Sequence, residues 1–303
     1  MNSRVATASF NRNAIDRMQT ANAALAKTTY QVTSGLVAER FEDIAAQAGQ
    51  LLNLQDLRNV NDQFISNMET VNSRLLATEN ALSGMNDLIV EAANLWTLGR
   101  NENTAEVRAN LAPKAEGLAE TFYSLFKTKY DGRYVFSGAA GDRPPLTTSA
   151  TATTAPATIP APNTYYNGDS QKMVVITAIG VTEEYGLTGD DDAFANMKAG
   201  LEALWYGLEN NSESDIDAAI DLLNQAQTEI SGLIGEVGGQ QSSFDLLSAR
   251  HENTNLFLTE QVDEIEKVDI AEAMSRFTQE QTTLEASLAV INRVNQLSLL
   301  DFL

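Results

Sequence analysis

The chain has 303 residues, 43% hydrophobic and only 7% aromatic, which is enough for a packed core but favours narrow helix seams over one thick globule. With 20 Lys plus Arg against 41 Asp plus Glu, the net charge is −21, a field that repels phosphate backbones and anionic lipid, so neither nucleic acid nor membrane is expected as a partner. Cysteine is absent and His251 is the single histidine, which excludes a disulfide framework, a Cys-His zinc site and a Cys nucleophile, and leaves a Ser-His-Asp triad only that one residue to use.

The chain has no run of 18 apolar residues for a membrane span, and its start, MNSRVATASFNRNAIDRMQ, has no apolar h-region of a cleaved signal peptide. Taken alone this points to the cytoplasm. The lack of cysteine points the other way, because a chain exposed to changing redox conditions gains from having no thiol to oxidise.

The first predicted element is a helix whose stripe Ile15, Met18, Asn22, Leu25, Thr29, Val32 and Leu36 follows alternating 3-4 spacing, an a/d seam weakened by two polar members. Gly35 is placed for a C-cap or bend. A second helix is expected from about residue 45 to 98, roughly 80 Å long at 1.5 Å per residue, with Phe64, Met68, Val71, Leu75, Thr78, Leu82, Met85 and Ile89 as a cleaner heptad stripe. LGRNENTAEV reads as a turn with Asn103 as N-cap and Glu106 at N3. The next helix puts Leu111, Ala115, Leu118, Phe122 and Leu125 on one stripe and stops near YDGR.

Residues 131–192 change character: RYVFSG is strand-like, TTSATATTAPATIPAPN is a low-complexity loop, and KMVVITAIGVTEEYGLTGD alternates strand runs with Gly turns. Helix resumes near Ala193, then from an N-cap at Ser214 through Ile216, Ile220, Leu223, Ile230 and Ile234. IGEVGGQQ has no preceding strand and no Lys-Ser/Thr, so it reads as a break before another helix from about Gln240 to 265 rather than a phosphate loop. A final helix carries Ile270, Met274, Phe277, Leu284, Leu288, Ile291 and Leu297 on its apolar side.

Three features invite a sharper reading than they support. His251 lies on a long helix without a recognisable nucleophile, so it reads as a surface or seam residue. Asp190 to Asp192 lack EF-hand spacing and read as an acidic helix start. Trp96 and Trp205 read as buried at the bundle's edge against the insertion rather than as a carbohydrate platform. No catalytic, cofactor or metal site is expected, and the chain is not expected to be an enzyme. A surface-binding module would need clustered exposed aromatics in the insertion, where Tyr165, Tyr166 and Tyr185 are available.

The C-terminal VDIAEAMSRFTQEQTTLEASLAVINRVNQLSLL resembles the C-terminal segment of the flagellin and hook-associated protein superfamily, and LAKTTYQVTSGLVAERFEDIAAQAGQLLNLQ is similar to its N-terminal signature. GRYVFSG, with Gly132, Arg133, Tyr134, Phe136 and Gly138, resembles the segment that leads into the β-domain in hook-filament junction members; flagellins usually have other sequence there.

The resemblance implies a mainly α fold: an elongated antiparallel long-helix bundle or coiled coil formed by the N- and C-terminal parts, with a small β-rich domain inserted mid-chain. It divides the chain into a terminal assembly domain (1–40 plus 270–303), a rod domain (41–130 plus 193–269) and an outward insertion (131–192). Terminal helices with polar seam positions are marginal alone, so they are expected to fold among neighbouring subunits through Ile15, Met18, Asn22, Leu25 and Val32 against Leu284, Leu288, Ile291 and Leu297. The implied role is a structural adaptor linking hook-associated protein to flagellin, with a filament subunit or a secreted surface-binding protein as alternatives. Implied partners are copies of the chain in a ring or helical lattice, hook-associated protein 1, flagellin, and the flagellar export apparatus or a chaperone before assembly. The implied location is the extracellular flagellum, reached by type III export of an uncleaved N-terminal segment.

Overall fold

The computed structural model describes residues 2–101, 104–146 and 162–300, with side chains for 12–101, 104–146 and 164–293. The fold is mainly α, with long helices packed together and two small antiparallel sheets. Its elements are α1 (Asn2–Ser34), a 3-10 turn (Phe41–Ile44), α2 (Ala45–Asn101), α3 (Ala105–Phe126), β1 (Lys129–Tyr130), β2 (Arg133–Tyr134), α4 (Pro162–Tyr165), β3 (Met173–Ala178), β4 (Val181–Tyr185), α5 (Asp192–Glu209), α6 (Glu213–Glu266) and α7 (Ile270–Leu300). Two compact units emerge: Met1–Val60 with Thr254–Leu303, and Asn61–Asn253.

In the first unit α1 and α7 run side by side in opposite directions. α1 ends at Gly35, whose φ of +74° suits a residue without a Cβ and whose N–H returns to Gln31 O at 2.9 Å. The chain then pairs with the turn after α6: Val37 N–H donates to Glu266 O at 2.7 Å and Val268 N–H to Gly35 O at 2.9 Å. Asp269 caps α7, accepting from Ala271 N at 2.8 Å. A small core of Leu51, Val262 and Ile265, flanked by Ile44 and Leu54, joins α2 to α6.

The second unit contains the main core. All eight residues of the α2 stripe from Phe64 to Ile89 are buried, as the heptad spacing predicts. They meet Ala115, Leu118 and Phe122 of α3, a run of Ala193, Phe194, Met197, Leu201 and Leu204 on α5, and Ile216, Leu223, Ile230 and Val237 on α6. Asp191 caps α5, accepting from Ala193 N at 3.0 Å, so the acidic triplet does open a helix. Burial holds its carboxyl above the ordinary range, opposed by that cap hydrogen bond. Trp96 and Trp205 are partly buried against this core.

Three local expectations are corrected. No break occurs at IGEVGGQQ: α6 is one helix of 54 residues, because Leu233, Val237 and Phe244 keep its inner face buried through the glycines. α6 begins at Glu213, so Ser214 lies inside its first turn. α3 is capped at Thr104 without a side-chain hydrogen bond; Asn103, expected there, is outside the described residues, as is most of the Thr/Ala/Pro loop.

The strand signals become two hairpins. β1 and β2 pair Lys129 with Tyr134 and Tyr130 with Arg133 around Asp131 and Gly132, both at positive φ (48° and 74°), the conformation that an Asp-Gly type I′ turn requires. β3 and β4 pair antiparallel from Met173↔Tyr185 to Ala178↔Val181, closing at Ile179-Gly180 with Gly180 at φ +73°.

Candidate assembly surface and junction motif

The terminal pair in the first unit has polar groups mixed into its apolar seam and leaves further apolar groups outside. Its buried positions include Thr28 and Gln31, 4% and 3% exposed, whereas Ile270 and Val290 are 55% and 51% exposed. Thr28 Oγ1 donates to Glu280 Oε2 at 2.5 Å across the pair, and Gln31 Nε2 donates to Val37 O at 2.7 Å. Gln31 Oε1 is buried with no hydrogen-bond partner among the described residues. Such an atom costs about 1–3 kcal/mol, and weakens the pair as a free-standing structure.

Met18, Leu25 and Val32 are half-buried on α1, as are Leu284 and Ile291 on α7. Ile15, Asn22 and Leu288 are exposed, and the side chain of Leu297 is outside the described residues. The inward stripe of α1 is turned by one position, passing through Ala14, Met18, Ala21, Leu25 and Thr28. On α7 it passes through Ala273, Phe277, Glu280, Leu284, Ser287 and Ile291. Met274 and Leu288 lie one position beyond Ala273 and Ser287, and Val290 one before Ile291, so apolar groups flank the seam on both sides. Near the other end a groove lies between Asn13, Ala14 and Arg17 of α1 and Ser287, Val290 and Ile291 of α7.

In the second unit, the GRYVFSG segment is anchored residue by residue. Gly132 completes the first turn. Arg133 Nη2 donates to Ala139 O at 3.0 Å, and Tyr134 O accepts from Arg74 Nη2 at 2.8 Å. Burial lowers the proton affinity of the Arg74 guanidinium. Phe136 is fully buried, stacked on Phe126 at 5.4 Å and edge-on to Phe194 at 5.2 Å. Ser137 Oγ donates to Arg143 O at 2.8 Å. Gly138 has φ +59°, and a Cβ there would lie 2.1 Å from Asp169 O, so only glycine fits.

The three insertion tyrosines are consumed by this packing. Tyr165 and Tyr185 are buried, and Tyr166 is partly buried, its hydroxyl donating toward Phe136 O at 3.0 Å and Asp169 O at 2.9 Å. Burial pushes the Tyr166 hydroxyl up to about 12 and raises Tyr165 further, with neighbouring Asp190 and Asp191 adding to the latter. The exposed aromatic cluster that a surface-binding insertion would need is therefore not built from them.

His251 is a seam residue. Its Nδ1 is 2.5 Å from Asn61 Oδ1, its Nε2 is 2.8 Å from Thr177 O, and its ring is 5.5 Å from that of Phe64. It ties β3 to α2 and α6. On α3 and α5, Tyr123 donates to Glu202, which also receives both carboxylate contacts from Lys198 at 2.6 and 2.7 Å. Burial and then the Glu202 charge hold the Tyr123 hydroxyl well above its ordinary value.

Sequence reasoning missed the Phe126, Phe136 and Phe194 cluster, contributed by three separate segments, and the buried Arg108, which a charge count assigns to solvent.

Compared with known proteins, residues 5–140 match the bacterial flagellin N-terminal helical region and residues 220–303 match the bacterial flagellin C-terminal helical region. The chain belongs to the bacterial flagellin family. Among family members, it is 24% identical over 306 residues to the flagellin of Bacillus subtilis strain 168, covering 94% of this chain and 93% of that one. It is 22% identical over 285 residues to flagellar hook-associated protein 3 of Escherichia coli K12, covering 89% and 90%. A Vibrio parahaemolyticus chain assigned as a flagellar hook-associated protein shares the fold, with TM-score 0.63 at 20% identity over 74% of this chain and all of that one (100%). Bacillus cereus FlgL does so with TM-score 0.56 at 17% identity over 71% and 99%. The chain is thus a structural component of the flagellum, and its terminal regions imply polymerisation.

Proposed function

We propose that this chain is an adaptor subunit at the hook-filament junction, assembled through a terminal domain of residues 1–40 and 270–303. The observation that carries it is the apolar surface left outside the α1–α7 pair: Thr28, Gln31, Glu280 and Ser287 take places in the seam, while Ile15, Ile270, Met274, Leu288 and Val290 face out. A helix pair of that kind buries those outward residues only when other subunits surround it. The assembly contacts are Ile15, Met18, Asn22, Leu25 and Val32 with Leu284, Leu288, Ile291 and Leu297. The GRYVFSG segment supports the junction role by its resemblance to hook-filament junction members, and the names of the hook-associated relatives agree. Partners in this reading are further copies, hook-associated protein 1 on one side and flagellin on the other, after export from the cell.

The match to Bacillus subtilis flagellin along almost the whole chain favours a second reading, a filament subunit. Purified chain is mixed with flagellin and with hook-associated protein 1, and growth is followed by electron microscopy beside versions lacking residues 1–40 or 270–303. Junction function gives a chain that stays soluble alone, binds hook-side structures and seeds flagellin growth, all lost on truncation. Long filaments from the chain alone establish the filament subunit instead.

A further inference from the structure

The outer face of the β3–β4 hairpin is apolar and open to solvent. Val174 and Ile176 on β3 and Ile179 at the tip are 56%, 53% and 74% exposed. Their inward neighbours are held: Met173 and Val175 pack on the main core, Thr177 O meets His251, and Lys172 pairs with Glu236 of α6 at 2.6 Å. The sheet is therefore fixed on one side and offers a rigid apolar surface on the other. Across the same face, Glu184 is the register partner of Val174 and Thr182 that of Ile176, which adds an exposed carboxylate to the patch.

The β1–β2 hairpin of the same unit has the complementary character. Lys129 and Arg133 are exposed, with Arg143 nearby in sequence, and each cation is the register partner of a tyrosine: Lys129 of Tyr134, Arg133 of Tyr130. Lys129 Nζ lies 4.4 Å from the centre of the Tyr134 ring. From Lys127 to Arg143 there are four cations against two acids, a positive stretch in a chain of net charge −21. Tyrosine and arginine beside an apolar centre are what protein interfaces enrich.

We propose that the outer face of the β3–β4 hairpin docks onto the β1–β2 hairpin of a second copy of this chain. Val174, Ile176 and Ile179 lie against Tyr134, and Glu184 faces Lys129 on the same face of that hairpin. The occupant is a second copy because the terminal regions imply polymerisation, so copies meet, and because the chain itself carries a cationic aromatic surface to match this acidic apolar one. Two different patches in contact make the interface heterologous, the kind that builds rings or open helical lattices rather than closed dimers. The inference rests on the assembly reading above and adds where the second unit participates.

The absence of native cysteine makes the test direct. Full-length Ile179→Cys and Lys129→Cys chains, both altered only at exposed positions, are mixed in equal amounts and assembled on hook-side seeds. They are then treated with a short bismaleimide. The expected product is a mixed dimer between the two variants, absent at concentrations where no assembly forms. Assemblies that yield no cross-link, or only dimers of one variant with itself, overturn the hairpin contact and leave the assembly reading intact. If seeded wild-type chain never assembles by light scattering, the assembly reading fails and the contact falls with it. As a second measure, Glu184→Lys should slow assembly several-fold and Lys129→Glu in the same chain should restore it; unchanged rates in both overturn the proposal.

Discussion

The Arg108 guanidinium, its side chain 4% exposed, lies 2.9 Å from the carboxylate of Glu213, which is open to water. The same group donates through Nε to Gly99 O at 2.9 Å and through Nη1 to Asn211 Oδ1 at 2.8 Å. It therefore caps the end of α2, braces the turn before α6, where Asn211 takes a positive φ of 53°, and holds the start of α6. Arg108→Met leaves three acceptors without their donor, and is expected to cost about 2–4 kcal/mol in urea unfolding. Arg100→Ala removes only exposed pairs with Glu213 and Asp217, and is expected to cost under about 1 kcal/mol.

The same cluster sets a pH dependence. Hydrogen bonding from Arg108, then the Arg108 and Arg100 charges, hold Glu213 below its ordinary value of 4.5. A depressed carboxylate contributes stability that is complete above the unfolded value and disappears as pH falls through the folded one. The advantage of wild type over Glu213→Gln should thus be constant near neutrality and shrink below about pH 4.5, measured as the urea midpoint of each at successive pH values.

Gly132 and Gly138 share a left-handed backbone but not the same surroundings. A Cβ at Gly132 meets nothing within 4 Å, whereas one at Gly138 would sit 2.1 Å from Asp169 O and 2.6 Å from Gln171 O. Gly132→Ala is expected to cost about 1–2 kcal/mol, from backbone conformation alone. Gly138→Ala should cost more than that by thermal unfolding, because the backbone at Asp169 must also move. Equal losses at the two positions would show that the segment relaxes freely.

Gly235 and Gly239 are exposed in the interior of α6 with open space where a Cβ would stand. Replacing either by alanine is expected to raise monomer stability by about 0.5–1 kcal/mol, read from the shift in urea midpoint. A loss instead would mean that the helix is bent there under load.

Met274 and Val290 are solvent-facing in the single chain, 44% and 51% exposed. Met274→Gln with Val290→Ser should leave the circular dichroism and unfolding midpoint of the monomer within about 0.5 kcal/mol of wild type. The same double variant should reduce seeded assembly by an order of magnitude or more. Full assembly would remove these two residues from the subunit contact.

The long helices were legible because their patterns are strict. Eight residues from Phe64 to Ile89 repeat at heptad spacing and all eight are buried. The end of α3 near YDGR was legible too, and the Asp131-Gly132 turn just beyond it follows because few dipeptides accept two consecutive positive φ angles. α1 was harder. Its inward stripe uses Ala14 and Ala21, small residues that also fit an exposed face, while Ile15 beside them suggests a seam one position away. The glycines of α6 are ordinary stop signals overridden by the burial of Leu233, Val237 and Phe244. Phe126, Phe136 and Phe194 meet only through tertiary structure, and no local period could announce them.

The turn that leaves α1 and the turn that enters α7 are joined at Val37 to Glu266 and Val268 to Gly35 through main-chain N–H and C=O groups. Any amino acid but proline supplies those donors, and any residue at all supplies the acceptors. What these main-chain bonds demand of the genetic text is therefore a veto at positions 37 and 268 rather than a spelling; the spelling sits beside them, at Gly35 with its φ of +74° and at Gln31, whose amide donates to Val37 O. Side chains such as Val37 and Val268 stay at liberty to diversify for whatever surface a neighbour presents, while the hinge line of the terminal pair is kept.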